Sequence, residues 1–147
     1  MAESAKVYSK MPLNALKKLI TDLSAAGTAV KVSLHTSSYT PNQNTHESYA
    51  DLTNEVANGN GYTTGGATLA NKTLATSTTV LTFDADDVSW ANSTITARYA
   101  AIYDATPSAA ADKKLLAYVD FGADKVSSSG TFQITWNASG IFTITAA

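Results

Sequence analysis

Between Pro12 and Gly27 the apolar residues Leu13, Leu16, Leu19, Ile20 and Leu23 fall at the spacing that lines one face of an α-helix. Pro12 suits a first helical position and Gly27 a stop, so the pattern predicts one amphipathic helix, with Lys17, Lys18 and Asp22 turned to water. Its apolar side either covers a sheet or docks on a partner subunit. The period then changes: Val30, Val32 and Leu34 alternate with Lys31, Ser33 and His35, which predicts a half-buried strand.

Residues 35–68 break both patterns. They are dense in Thr, Asn, Gly and Ser, with Leu, Val and Tyr only at intervals. Tyr39 to Asn42 reads as a turn, and Asn44 followed by Glu47 has the form of a capping box that opens a short helix through Leu52. Asn58-Gly59-Asn60-Gly61 and Gly65-Gly66 punctuate the chain twice more, before a strand at Leu69 to Leu74. A loop of this length is uncommon in a compact domain unless it has local structure or a contact role. Tyr39, Tyr49 and Tyr62 either pin it to the body or anchor an interface, and Pro41, Asn42 and Asn44 complete the set of candidate interface residues.

The second half reads as β. Val80 to Phe83, Ile95 to Tyr103, Leu115 to Phe121, Phe132 to Trp136 and Ile141 to Thr145 are rich in β-branched and aromatic residues. The tips expected between them are Pro107 to Asp112, Asp124 to Gly130, and Asn137 to Gly140, the last closing a hairpin. About seven strands result, which suits a mainly β fold: an antiparallel β-sandwich or jelly-roll-like barrel with one N-terminal amphipathic helix. The expected organisation is a single β-rich domain over 1–147, made of an arm and helix (1–27), the polar loop region (35–68) and a β core (69–147).

Composition narrows the function. Of 147 residues only 15% are charged, against roughly a quarter in an average soluble domain. The surface is therefore largely neutral and hydroxyl-rich, unlike that of most enzymes, which need positioned acids, bases and ion pairs. Net charge is −2 and the basic residues are scattered, so no continuous track exists for phosphates and direct nucleic-acid binding is disfavoured. Cysteine is absent, which excludes disulfides and thiolate chemistry and points to partner chains as a source of added stability. No apolar run approaches the ~20 residues of a membrane span, and the N-terminal residues lack the apolar core of a signal peptide.

Chemistry-bearing motifs are sparse. His35 and His46 lack zinc-site spacing, no Ser sits in a nucleophile elbow, and the glycine pairs lack the Lys of a phosphate loop. Phe83 to Trp90 holds three aspartates, Asp84, Asp86 and Asp87, which either cradle a Ca²⁺ ion or bond nearby backbone N–H groups in a strand-ending turn. Catalytic, cofactor and metal residues are accordingly expected to be none.

The strings HTSSYTPNQNTHESYADLTNEV, GNGYTTGGATLANKTL, FDADDVSWANSTITARYAAIYD, LLAYVDFG and FQITWNASGI, in this order from about Val30 nearly to the end, resemble a widespread group of small tailed-bacteriophage structural proteins. The resemblance implies a virion structural protein without catalytic residues, similar to capsid decoration or cement proteins that bind the outside of the head shell. It implies as partners the major capsid protein and neighbouring copies in a homo-oligomer, synthesis in the host cytoplasm and a place on the outer capsid surface. Two other readings remain open: a tail or neck component, and a carbohydrate-binding, adhesin-like module using Tyr39, Tyr62 and the Asp84 to Asp87 turn.

Overall fold

The computed structural model describes residues 5–146. The chain is mainly β, with two antiparallel sheets. The alternating segment forms β2 (Val30–His35), and the long apolar runs form β6 (Val88–Asp104) and β7 (Leu115–Ile134). With the short strands β1 (Lys6–Val7) and β3 (Ala67–Thr68) they make a five-stranded sheet in the order β1-β7-β6-β2-β3. The strands β4 (Thr73–Ser77), β5 (Val80–Asp84) and β8 (Phe142–Thr145) make a three-stranded sheet in the order β4-β5-β8.

Apolar residues from both sheets meet in one cluster, with Val32, Ile95, Ile102, Leu116 and Ile134 from the larger sheet and Phe83 and Phe142 from the smaller. Each such side chain contributes about 1.5–3 kcal/mol by leaving water. Phe83 and Phe142 stack with ring centroids 5.1 Å apart, at a paired position of β5 and β8.

The N-terminal helix is much shorter than its periodicity predicts. Helix α1 spans Met11–Leu16 only. It ends in a left-handed cap: Lys18 has φ 58°, its N–H donates to the Ala15 carbonyl, and the Leu19 N–H donates to the Asn14 carbonyl. That is the hydrogen-bond pair of a Schellman motif, with lysine where glycine is usual. The chain then crosses to β6, where the Thr21 N–H and hydroxyl both donate to the buried Asp104 carboxylate, at 2.8 and 2.7 Å. Leu23 reaches the core by this route, while Leu13, Leu16 and Leu19 remain exposed.

Three other expectations are corrected. The Asp124–Gly130 tip is not a turn: β7 runs through it, paired to a β6 whose register shifts at four places. At one of these shifts the Ser127 hydroxyl takes the Ile95 N–H, 3.1 Å, and meets the Ser93 hydroxyl at 2.8 Å, so side chains replace missing ladder bonds. The hairpin expected across Asn137 to Gly140 does not form, because β8 pairs with β5 in the other sheet. The turn itself is present, with the Gly140 N–H on the Asn137 carbonyl. Gly140 has φ 104°, and a Cβ there would lie 2.4 Å from the Thr82 methyl, so only glycine lets the chain pass this close to β5. Of the strand expected at Leu69 to Leu74 only Thr73 and Leu74 are in a strand, at the start of β4, and residues 69–72 connect β3 to β4.

Candidate functional site

The polar region, expected to carry structure or contacts, is folded onto β2 as an ordered cover. Thr36 N–H donates to Asn54 and Val56 N–H to Leu34, so residues 54–56 lie along the end of β2. This explains why Ser33 and His35, expected on a half-exposed face, are buried. His35 Nδ1 donates to the Thr53 carbonyl, 2.8 Å, which fixes the tautomer and leaves Nε2 to accept from the Ser33 hydroxyl, 2.9 Å. Burial lowers the His35 pKa below its ordinary value, against the opposing effects of the Thr53 bond and the Glu55 charge.

Glu55 organises the second half of the cover. One carboxylate oxygen accepts from the Tyr62 hydroxyl and the Gly65 N–H, both at 2.6 Å, and the other accepts from the Tyr49 hydroxyl. The Tyr62 hydroxyl in turn accepts the Leu34 N–H, 3.0 Å, and the Tyr103 hydroxyl donates to the Gly65 carbonyl, 2.6 Å. Three tyrosines from different parts of the chain are thus tied to one turn. Burial, reinforced by Glu55, raises the pKa of Tyr49, Tyr62 and Tyr103, so all three stay protonated donors. Gly66 completes the turn with φ 76°, pressed so close to β2 that a Cβ would overlap the Val32 carbonyl.

The first half is held by Tyr39. Its ring is buried, its hydroxyl meets His46 Nδ1 at 2.9 Å and the Tyr8 hydroxyl at 3.2 Å, and its edge packs on Tyr99. The tip beyond it is stapled to β1 through Gln43, whose side-chain amide donates to the Val7 carbonyl and whose own carbonyl accepts the Ser9 N–H.

Of the six candidate interface residues, Tyr39 and Tyr62 are interior and Tyr49 is half-buried over Tyr103, so these rings pin the cover to the sheet. Asn42 and Asn44 are exposed and Pro41 is half-buried beside them. Asn42 Oδ1 accepts the N–H groups of Asn44 and Thr45, 3.1 Å each, which shapes the tip. The turns themselves fall at Ser37–Ser38 and Gln43–Thr45 rather than at Tyr39 to Asn42. The expected helix from Asn44 is absent. A single 3₁₀ turn, Tyr49–Asp51, stands there, and its capping box is Ser48 with Asp51.

No family model, curated protein or solved structure matches the chain. The residues themselves therefore bear the reading.

What they build is a hydrogen-bonded, outward-facing, uncharged surface. Residues 36–45 contain no Asp, Glu, Lys or Arg, and Ser37, Ser38, Thr40, Asn42 and Asn44 are all exposed on it. Such a surface offers hydrogen-bond donors and acceptors with little charge to desolvate. Among the described residues no three His, Cys, Asp or Glu side chains converge as metal ligands. In the Asp84 to Asp87 turn, Asp84 accepts the Ala85 N–H, Asp87 accepts the Trp136 N–H, and Asp86 accepts the Asn71 amide. Sequence reasoning missed Glu55 as the organising residue. The Gly65-Gly66 pair was its signal, since a turn needing two positive φ values marks a close backbone approach that some side chain must hold.

Proposed function

We propose that this is a non-catalytic bacteriophage virion protein, a capsid cement or decoration protein that binds the outer head shell and stabilises it. The observation that carries the proposal is the folded polar region: its tyrosines turn inward to lock it on the sheet, and its neutral Thr, Asn and Ser side chains turn outward. A cement protein needs this combination, because a contact surface that is already ordered loses little conformational entropy on docking. Whatever binds only the assembled shell stabilises it, and many copies sum. The sequence resemblance to small tailed-phage structural proteins points the same way, and we read the two sheets as a β-sandwich scaffold behind the surface.

The proposed partners are the major capsid protein and neighbouring copies of the chain. The test uses heads from a phage that carries the protein, stripped of it and then re-bound. Charging the surface with Thr40→Arg and Asn44→Arg, both exposed, while sparing Asn42, which shapes the tip, should abolish co-sedimentation with heads and leave the circular dichroism spectrum unchanged. Normal occupancy by the doubly substituted chain would remove the 36–45 surface from the interface. Deleting residues 37–44 is a poorer test, because it also removes the buried Tyr39.

A further inference from the structure

Among the described residues, two of the five large exposed apolar side chains, one from α1 and one from β4, come together at one groove, apart from Leu13, Leu19 and Val126. Leu16, 86% exposed, and Leu74, 39% exposed, line a groove of about 430 Å³ whose floor includes Leu81, Phe142 and Ile144. The groove adjoins β4, an edge strand whose five residues are all exposed. Among the described residues no backbone hydrogen bond reaches the outer side of β4, so its unpaired N–H and C=O groups form a template for another strand. Edge strands are normally protected by charge, proline or a bulge. None stands in Thr73–Ser77, which pairs with β5 in unbroken register.

We propose that a second copy of this chain occupies the edge, by antiparallel pairing of β4 with β4 across a two-fold axis at Ala75. The sequence Thr-Leu-Ala-Thr-Ser is self-complementary in that register: Ala75 faces Ala75, Leu74 faces Thr76, and Thr73 faces Ser77. No like charges oppose each other, and small residues lie at the axis. Leu74 and Thr76 share a sheet face with Leu81, Phe142 and Ile144, as the pairings Leu74 with Phe83 and Thr76 with Leu81 require. An axis normal to the sheet keeps that face on one side of both copies. The two grooves therefore meet at the join, and the Leu16 and Leu74 side chains of one copy approach those of the other. The result is a continuous six-stranded sheet with its two inner edges removed.

The size of the contact sets its strength. Five residues extend about 17 Å, and a band reaching about 10 Å to either side covers about 350 Å² per copy, against roughly 800 Å² in a standard interface. Pairing is therefore weak in dilute solution and becomes firm where a scaffold holds copies side by side. The inference deepens the virion reading by naming the surface for the neighbouring copy. It is tested on purified protein alone, so it and shell binding can fail separately.

The chain lacks cysteine, so one introduced thiol gives an unambiguous cross-link. Facing Cα atoms in an antiparallel pair lie about 4.5–5.5 Å apart, within disulfide range. Ala75→Cys should form a disulfide dimer of twice the 15.3 kDa chain mass under mild oxidation, and Thr131→Cys on β7 should not. Sedimentation of the unmodified chain should show concentration-dependent doubling that Ala75→Lys and Leu16→Lys each abolish, both positions being exposed and tolerant of the change. A chain monomeric to millimolar concentration whose Ala75→Cys variant fails to cross-link overturns the proposal. So does a dimer indifferent to both lysine substitutions, or cross-linking by Thr131→Cys as efficient as by Ala75→Cys.

Discussion

Removing the Glu55 carboxylate is the sharpest perturbation of the folded polar region. It accepts three hydrogen bonds, from Tyr49, Tyr62 and Gly65, and two of those donors belong to groups whose other contacts hold β2 and β6. A hydrogen bond to a charged group is worth about 1.5–3 kcal/mol, and half-exposure of Glu55 discounts the sum, so Glu55→Ala should cost about 3–4 kcal/mol. That is a large part of the about 5–15 kcal/mol that stabilises a typical domain. Glu55→Gln should cost about half as much, because its single carbonyl replaces two acceptor oxygens. Urea denaturation followed by circular dichroism measures both. Tyr62→Phe leaves the buried Leu34 N–H without its acceptor and should cost about 1–3 kcal/mol. In a double-mutant cycle with Glu55→Ala the two losses should fall short of additive, since they share one bond. A Glu55→Ala variant within about 0.5 kcal/mol of the parent, the range of an ordinary surface change, would refute the idea that this carboxylate holds the region.

Other consequences follow from the same structure. His35 has a folded-state pKa below its ordinary value, so its contribution is present above the unfolded pKa of about 6.5 and is lost as pH falls through the folded one; stability should decline from pH 7 towards pH 5, and His35→Gln should flatten that slope. Gly66→Ala should cost more than about 3 kcal/mol, because a backbone carbonyl occupies the Cβ position, whereas Gly122→Ala, equally left-handed but in open space, should cost about 1 kcal/mol. Thermal melts compare the two. Asp104→Ala strands the N–H groups of Thr21 and Thr106 and should cost about 3 kcal/mol, with faster amide exchange at both.

The alternation at Val30 to Leu34 and the β-branched runs of the second half made the larger sheet legible, because burial on a pleated face imposes a period of two. The helical periodicity runs past the helix itself for an identifiable reason. Leu13, Leu16 and Leu19 keep helical spacing, but a Schellman cap at Lys18, without glycine, stops the turn early, and tertiary bonds from Thr21 to Asp104 redirect the chain. The serine-rich residues 127–129 have a turn composition, yet a bulged partner strand uses them within β7. Pairing of β8 with β5 rather than β7 is a long-range choice that no local pattern contains. In the polar region the tyrosines were visible as the residues that matter, while their direction was not: inward for Tyr39 and Tyr62 follows from acceptors on His46 and Glu55, which only the fold brings within reach.

The most direct test of the proposal is a reconstruction of tailed-phage particles assembled in cells that produce this chain. The account predicts density for it on the outer icosahedral surface, at hundreds of copies, with residues 36–45 against a capsid subunit. Density confined to the tail axis at a multiple of three or six copies would contradict the cement reading, as would a particle from which the chain is absent.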